Sequence, residues 1–128
     1  MRYSHQRELI LREVLSRSDH PTAEQICTSL RADCPRLSLG TVYRDLNTLV
    51  EIGKIRRVSI PGEADRFESK SDDHQHLYCR VCHKVESISI PDDKLEELVK
   101  ACPGIKAEEF SLTVFGLCSE CAAREQQS

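Results

Sequence analysis

Apolar residues recur at helical spacing in three successive stretches of the N-terminal half. In "SHQRELILREVLSRS" the stripe is Leu9, Ile10, Val14 and Leu15. In "TAEQICTSLRAD" it is Ala23, Ile26, Cys27 and Leu30, and Thr22 with Gln25 forms a capping-box signal. In "LGTVYRDLNTLVEIG" it is Leu39, Val42, Tyr43, Leu46, Leu49 and Val50, with Ser38 as N-cap and Gly53 as stop. Thr41, Arg44, Asp45 and Thr48 fall outside that stripe. The pattern then changes: "KIRRVSI", a Pro61-Gly62 turn and "ADRFES" read as a two-stranded hairpin. Three short helices followed by a hairpin is the winged-helix order.

The C-terminal half alternates strand and helix signals. "HLYCRV" and "KVESISI" are short strands flanking a Cys79–Cys82 knuckle, "PDDKLEELVKAC" is a helix opened by Pro91 and two acids, and "FSLTVFGLC" is a further strand. The fold class expected is α+β, with a winged helix over residues 1–68, a polar hinge at "SKSDDH" (69–74) and a small α/β domain over 75–128.

Charge sharpens that division. Residues 1–66 carry 11 Lys+Arg against 9 Asp+Glu, and residues 67–128 carry 7 against 12. The first half is thus slightly basic and the second acidic. In helix-turn-helix proteins the later helix enters the major groove. Here its exposed face offers Thr41, Arg44 and Thr48, with Lys54, Arg56 and Arg57 on the hairpin. Arg suits guanine or phosphate, and Thr and Tyr can bond phosphates. The same pattern also serves partner-binding modules with a merely solvated charged face. No apolar run approaches a membrane span, and the N-terminal stretch is amphipathic, so a soluble cytosolic protein is expected.

Seven Cys without a secretory signal point to metal ligation or free thiols. Cys79 with Cys82, and Cys118 with Cys121, are two C-x-x-C pairs able to close a tetrahedral zinc site. A redox C-x-x-C normally opens a helix after a strand, whereas Cys79 lies in a strand-turn-strand. Strand parity separates these thiols from the nearby imidazoles. His74 and His76 share one face, and Cys79 has the opposite parity. The His pair therefore needs other partners, for which Glu86, Glu68 and His20 are candidates. Imidazole with carboxylate suits Fe2+, Mn2+ or Zn2+. His83 reads as a solvated turn residue, Cys27 as core, and Cys34 and Cys102 as loop or helix-end thiols.

With these residues assembled, the chain resembles the ferric uptake regulator family of metal-dependent transcriptional repressors. The resemblance rests on "HPTAEQI", "LSLGTVYRDLNTLVEIG", "DRFE", "DHQHLYCRVCHKVE" and "FGLCSEC", in that order. It implies a winged-helix domain joined by a hinge to a dimerisation domain, and a homodimer on palindromic operator DNA. It implies Tyr43 and Arg44 as leading DNA contacts, with Thr41, Thr48 and Arg57 beside them. Cys79, Cys82, Cys118 and Cys121 match the family's structural zinc site. His20, Glu68, His74, His76 and Glu86 match its regulatory site for Fe2+ or Mn2+.

The signal stays open between two branches. Asp73 and Gln75 stand where iron sensors often carry His and Asp, and Leu117 stands where a His often precedes the third zinc Cys, which resembles the peroxide-sensing branch. In that branch bound Fe2+ reacts with peroxide and oxidises a ligand His, here His20 or His74. Glu68 and Glu86 are closer to iron sensors. Zinc or manganese sensing, a zinc-stapled interaction module without DNA binding, and a metalloenzyme are the other readings. The last is disfavoured because five protein ligands leave little open coordination and no nucleophile constellation accompanies them. A non-enzymatic repressor is the expectation.

Overall fold

The computed structural model describes residues 2–70, 75–108 and 111–127. Helices α1 (Arg2–Ser16), α2 (Ala23–Leu30) and α3 (Leu39–Glu51) precede strands β1 (Ile55–Val58) and β2 (Arg66–Ser69). Then come β3 (Gln75–Cys79), β4 (Val85–Ser87), α4 (Asp92–Lys100), β5 (Leu112–Gly116) and α5 (Ser119–Gln127). The chain divides into two compact units, Met1–Asp72 and Asp73–Ser128. Ser69, expected in the hinge, is instead the last residue of β2, because it pairs with Ile55.

In the first unit, local capping starts the helices where the sequence places them. The Thr22 hydroxyl accepts from the Gln25 amide, and the Gln25 side chain accepts from the Thr22 amide. Ser38 caps α3 through the Thr41 amide. Gly53, with φ of 79°, supplies the left-handed residue just beyond its end. The three helices close over a core of Ile10, Val14, Ile26, Val42, Leu46 and Leu49, joined by Ile55 and Phe67 from the antiparallel β1–β2 hairpin.

Two expected core positions are corrected. Leu15 is 52% exposed and Tyr43 is 40% exposed, while Asp45 is buried. The buried face of α3 runs through Val42, Asp45, Leu46 and Leu49, one stripe at three- and four-residue spacing that leaves Tyr43 on the flank. Asp45 answers Arg7 of α1 at 3.8 Å, so a buried carboxylate links α3 to α1.

In the second unit β3 is the central strand of a three-stranded sheet, antiparallel to β4 and parallel to β5. A parallel neighbour needs a crossover, and the segment carrying α4 provides it. α5 was not foreseen in the sequence, since its nine residues carry little apolar periodicity. Among the described residues, no helix is long and apolar enough to cross a membrane.

Truncating a fully buried core residue tests the first unit. Leu46→Ala is expected to destabilise it by about 2–5 kcal/mol in urea unfolding followed by circular dichroism.

Candidate metal centres and DNA-binding face

Cys79 ends β3, and the chain turns back on itself over the next residues. The Cys79 amide donates to the Lys84 carbonyl at 3.0 Å, and the His83 amide donates to the Cys79 carbonyl at 2.9 Å. His83 takes a left-handed backbone, φ 65°, at the reversal. Its Nδ1 lies 2.8 Å from the Tyr78 hydroxyl, which braces the knuckle. Cys118 follows β5 and opens α5, its carbonyl accepting from the Ala122 amide, and Cys121 lies one turn further on.

The four sulfurs all lie within 4.8 Å of one another, and those of Cys82 and Cys118 are 3.8 Å apart. A tetrahedral zinc with Zn–S of about 2.3 Å has sulfur–sulfur edges of about 3.8 Å. The donor set therefore fits a tetrahedral zinc, with the Cys82–Cys118 edge already at the ideal length and every other within about 1 Å of it.

Electrostatics point the same way. The backbone amides of Cys82 and then Cys118 hold the Cys79 thiol down to about 5, so it is a thiolate at neutral pH. The Cys118 sulfur, then burial, push the Cys121 thiol up to about 12. For Cys82 the Lys84 amide pulls downward, but burial and the neighbouring Cys79 and Cys118 sulfurs raise it on balance. Crowded sulfurs and burial thus raise Cys82 and Cys121, and a divalent cation offsets this by favouring the thiolate form of its ligands.

The register separates the imidazole from the thiols. His76 pairs with Ser87 on β4 and with Thr113 on β5, whereas Cys79 pairs with Gly116. Directly paired residues share a face and neighbours along a strand alternate. His76 is buried on the face shared with Tyr78, Val85 and Thr113, and Leu77 on the other face packs on the thiol cluster.

The same register corrects one expected ligand. Glu86 pairs with Leu77, so it lies on the sheet face away from His76. There it binds Lys84 at 2.8 Å. His74 lies outside the described residues.

In the first unit, His20 and Glu68 come together. His20 precedes Pro21 with φ of 53°, and β2 fixes this bend. The Phe67 amide donates to the Pro21 carbonyl at 2.9 Å, and Arg66 donates to the His20 carbonyl at 3.2 Å. The His20 Nε2 then lies 2.8 Å from a Glu68 carboxylate oxygen, with both side chains almost fully buried. The neighbouring Asp19 is taken up by Arg17 through two hydrogen bonds, of 2.9 and 2.7 Å. That guanidinium holds the Asp19 carboxyl below its usual range. An imidazole and a carboxylate placed side by side out of water are a fitting nitrogen and oxygen donor pair for Fe2+ or Mn2+.

The exposed face of α3 carries Tyr43 and Arg44, with Thr41 and Thr48 half-buried at its margins. Arg57 is engaged in the wing. It bonds Asn47 of α3, lies 3.5 Å from Asp65 and sits over the Phe67 ring. Arg57 thus couples the hairpin to α3.

A winged helix with a buried His–Glu pair, followed by a small sheet built on a four-thiol cluster, defines a metal-responsive DNA-binding regulator. The chain belongs to the ferric uptake regulator family, whose model matches residues 1–115. It is 31% identical over 126 residues to the peroxide operon regulator of Bacillus subtilis, covering 98% of this chain and 87% of that protein. It superposes on the Helicobacter pylori ferric uptake regulator, described as having three functional metal-binding sites, with a TM-score of 0.81 and 26% identity over 92% of this chain and 80% of the other. It is similar also to the Campylobacter jejuni peroxide stress regulator, with a TM-score of 0.73 and 27% identity over 94% and 91% of the two chains.

Cys118→Ser removes a buried corner of the tetrahedron. It is expected to lower zinc content from about one per chain toward zero and to loosen the second unit. Elemental analysis with near-ultraviolet circular dichroism checks both.

Proposed function

We propose that the chain is a metal-gated repressor that binds operator DNA as a homodimer and releases it on exposure to peroxide. The observation that carries this reading is the buried His20–Glu68 pair, which lies in the same unit as the groove-facing helix. His74 and His76 of the second unit complete the proposed ligand set, and Glu86 is left out on the register given above. An ion held by residues of both units ties them together, which favours the small set of domain angles that suits an operator. Linkage then requires DNA to tighten metal binding by the same factor.

Dimerisation is supported by the apolar surface of the second unit. Leu98, Ile105, Val114 and Phe115 are all 42% exposed or more. A twofold pair of recognition helices reads half-sites about 34 Å apart. Tyr43, Arg44, Thr41 and Thr48 supply the groove contacts, and Arg57 holds the wing beside them.

Peroxide is favoured as the signal by likeness to the Bacillus and Campylobacter proteins. Bound Fe2+ would supply the electron that cleaves peroxide next to an imidazole, and His20 and His74 are the proposed ligands expected to be oxidised. The second reading is reversible iron sensing, favoured by the high structural similarity to the Helicobacter regulator.

Two measurements test the proposal. Arg44→Ala should weaken operator binding by about 1–3 kcal/mol in a fluorescence anisotropy titration; unchanged affinity with no salt dependence would sink groove docking. Protein loaded with Fe2+ should lose operator binding after dilute peroxide and gain one oxygen on His20 or His74 in mass spectrometry, while Mn2+-loaded protein should do neither. Binding that follows Fe2+ reversibly, with no oxidised His, would favour iron sensing.

A further inference from the structure

Glu68 is held from two sides. One carboxylate oxygen faces His20, and the other lies 3.3 Å from Nη1 of Arg56. Arg56 and Glu68 are direct register partners across the β1–β2 hairpin. The same guanidinium donates through Nη2 to the Lys70 carbonyl at 2.7 Å. It is therefore fixed at both ends, and its side chain is only 18% exposed.

We propose that Arg56 is a positioning residue that acts as a resident cation beside the regulatory metal site, weakening divalent-ion binding and so raising the metal concentration needed for DNA binding. The inference rests on the reading of His20 and Glu68 as regulatory ligands. With Glu86 on the far face of the sheet, Glu68 is the one carboxylate in the proposed ligand set. Imidazole ligands bring no negative charge, and the guanidinium offsets that of Glu68. A divalent ion entering beside Glu68 therefore meets a cation that never deprotonates.

Partial burial leaves this repulsion poorly screened. The guanidinium cannot withdraw without giving up its hydrogen bond to the Lys70 carbonyl. In the metal-free protein Arg56 has the opposite effect. It compensates a buried carboxylate that would otherwise be costly to leave uncovered. One side chain thus stabilises the metal-free state and disfavours the loaded one, which shifts the response to higher metal.

The test is Mn2+ affinity of the full-length zinc-containing protein, read from the electron paramagnetic resonance signal of free Mn2+. Arg56→Gln keeps an amide donor and removes the charge; Arg56→Lys keeps the charge. R56Q should bind Mn2+ about tenfold or more tightly, and R56K should stay within about threefold of wild type. R56Q should also melt lower without Mn2+ and show a larger Mn2+-induced rise in Tm than wild type, a readout that survives partial loss of stability. Unchanged or weaker Mn2+ binding by R56Q would overturn the proposal. Glu68→Gln separates the two claims. If E68Q abolishes Mn2+ binding and R56Q does not tighten it, only the role of Arg56 falls. If E68Q binds Mn2+ like wild type, the site itself is misassigned and the role of Arg56 falls with it.

Discussion

The second unit has little interior apart from its sulfur. Among the described residues its buried apolar groups are Tyr78, Val85 and three of the four clustered cysteines. A three-stranded sheet and two nine-residue helices cannot close a large apolar core. Thiols at these separations also resist one another, since the Cys79 thiolate stands beside groups that keep their protons. A tetrahedral zinc converts this conflict into the staple that fixes the knuckle, the end of β5 and the start of α5. The position of β3, and of His76 upon it, depends on that staple.

β3 therefore serves two kinds of chemistry in five residues. The face ending at Cys79 belongs to soft thiolates, which hold zinc tightly. The face carrying His76 offers a harder nitrogen donor suited to exchangeable ions. Alternation along one strand keeps the imidazole and the thiols on opposite faces without a bulge. The buried pair of His20 and Glu68 extends the same division to the first unit, where β2 positions both the carboxylate and the bend that presents the imidazole. Arg56, on the partner strand, already balances that carboxylate.

Much of this was legible in the sequence because it depends on local rules. Capping residues and apolar periodicity placed α1, α2 and α3, and strand parity placed Cys79 opposite His76. The failures mark where local rules stop. Tyr43 and Asp45 exchanged their expected environments because a short helix leaves the width of its buried face undetermined until α1 supplies Arg7. Leu15 was assigned to a stripe that narrows once its helix packs. Glu86 is a good ligand type close to the right place, but the β3–β4 register, fixed by the knuckle, turns it to the wrong face. Arg56 reads in the sequence as one more exposed hairpin cation, and only the strand pairing sets it opposite Glu68, where it is largely buried.

In the proposed mechanism one ion maintains the fold while another controls DNA binding. Metal content and operator affinity should be measured together during stepwise dialysis of the zinc-containing, Mn2+-loaded protein against a chelator of increasing strength. Mn2+ should leave first, with circular dichroism unchanged and operator affinity lost, and fresh Mn2+ should restore binding while about one zinc per chain remains throughout. Operator affinity that persists after Mn2+ has gone, or that falls only when zinc and secondary structure are lost together, would contradict the account.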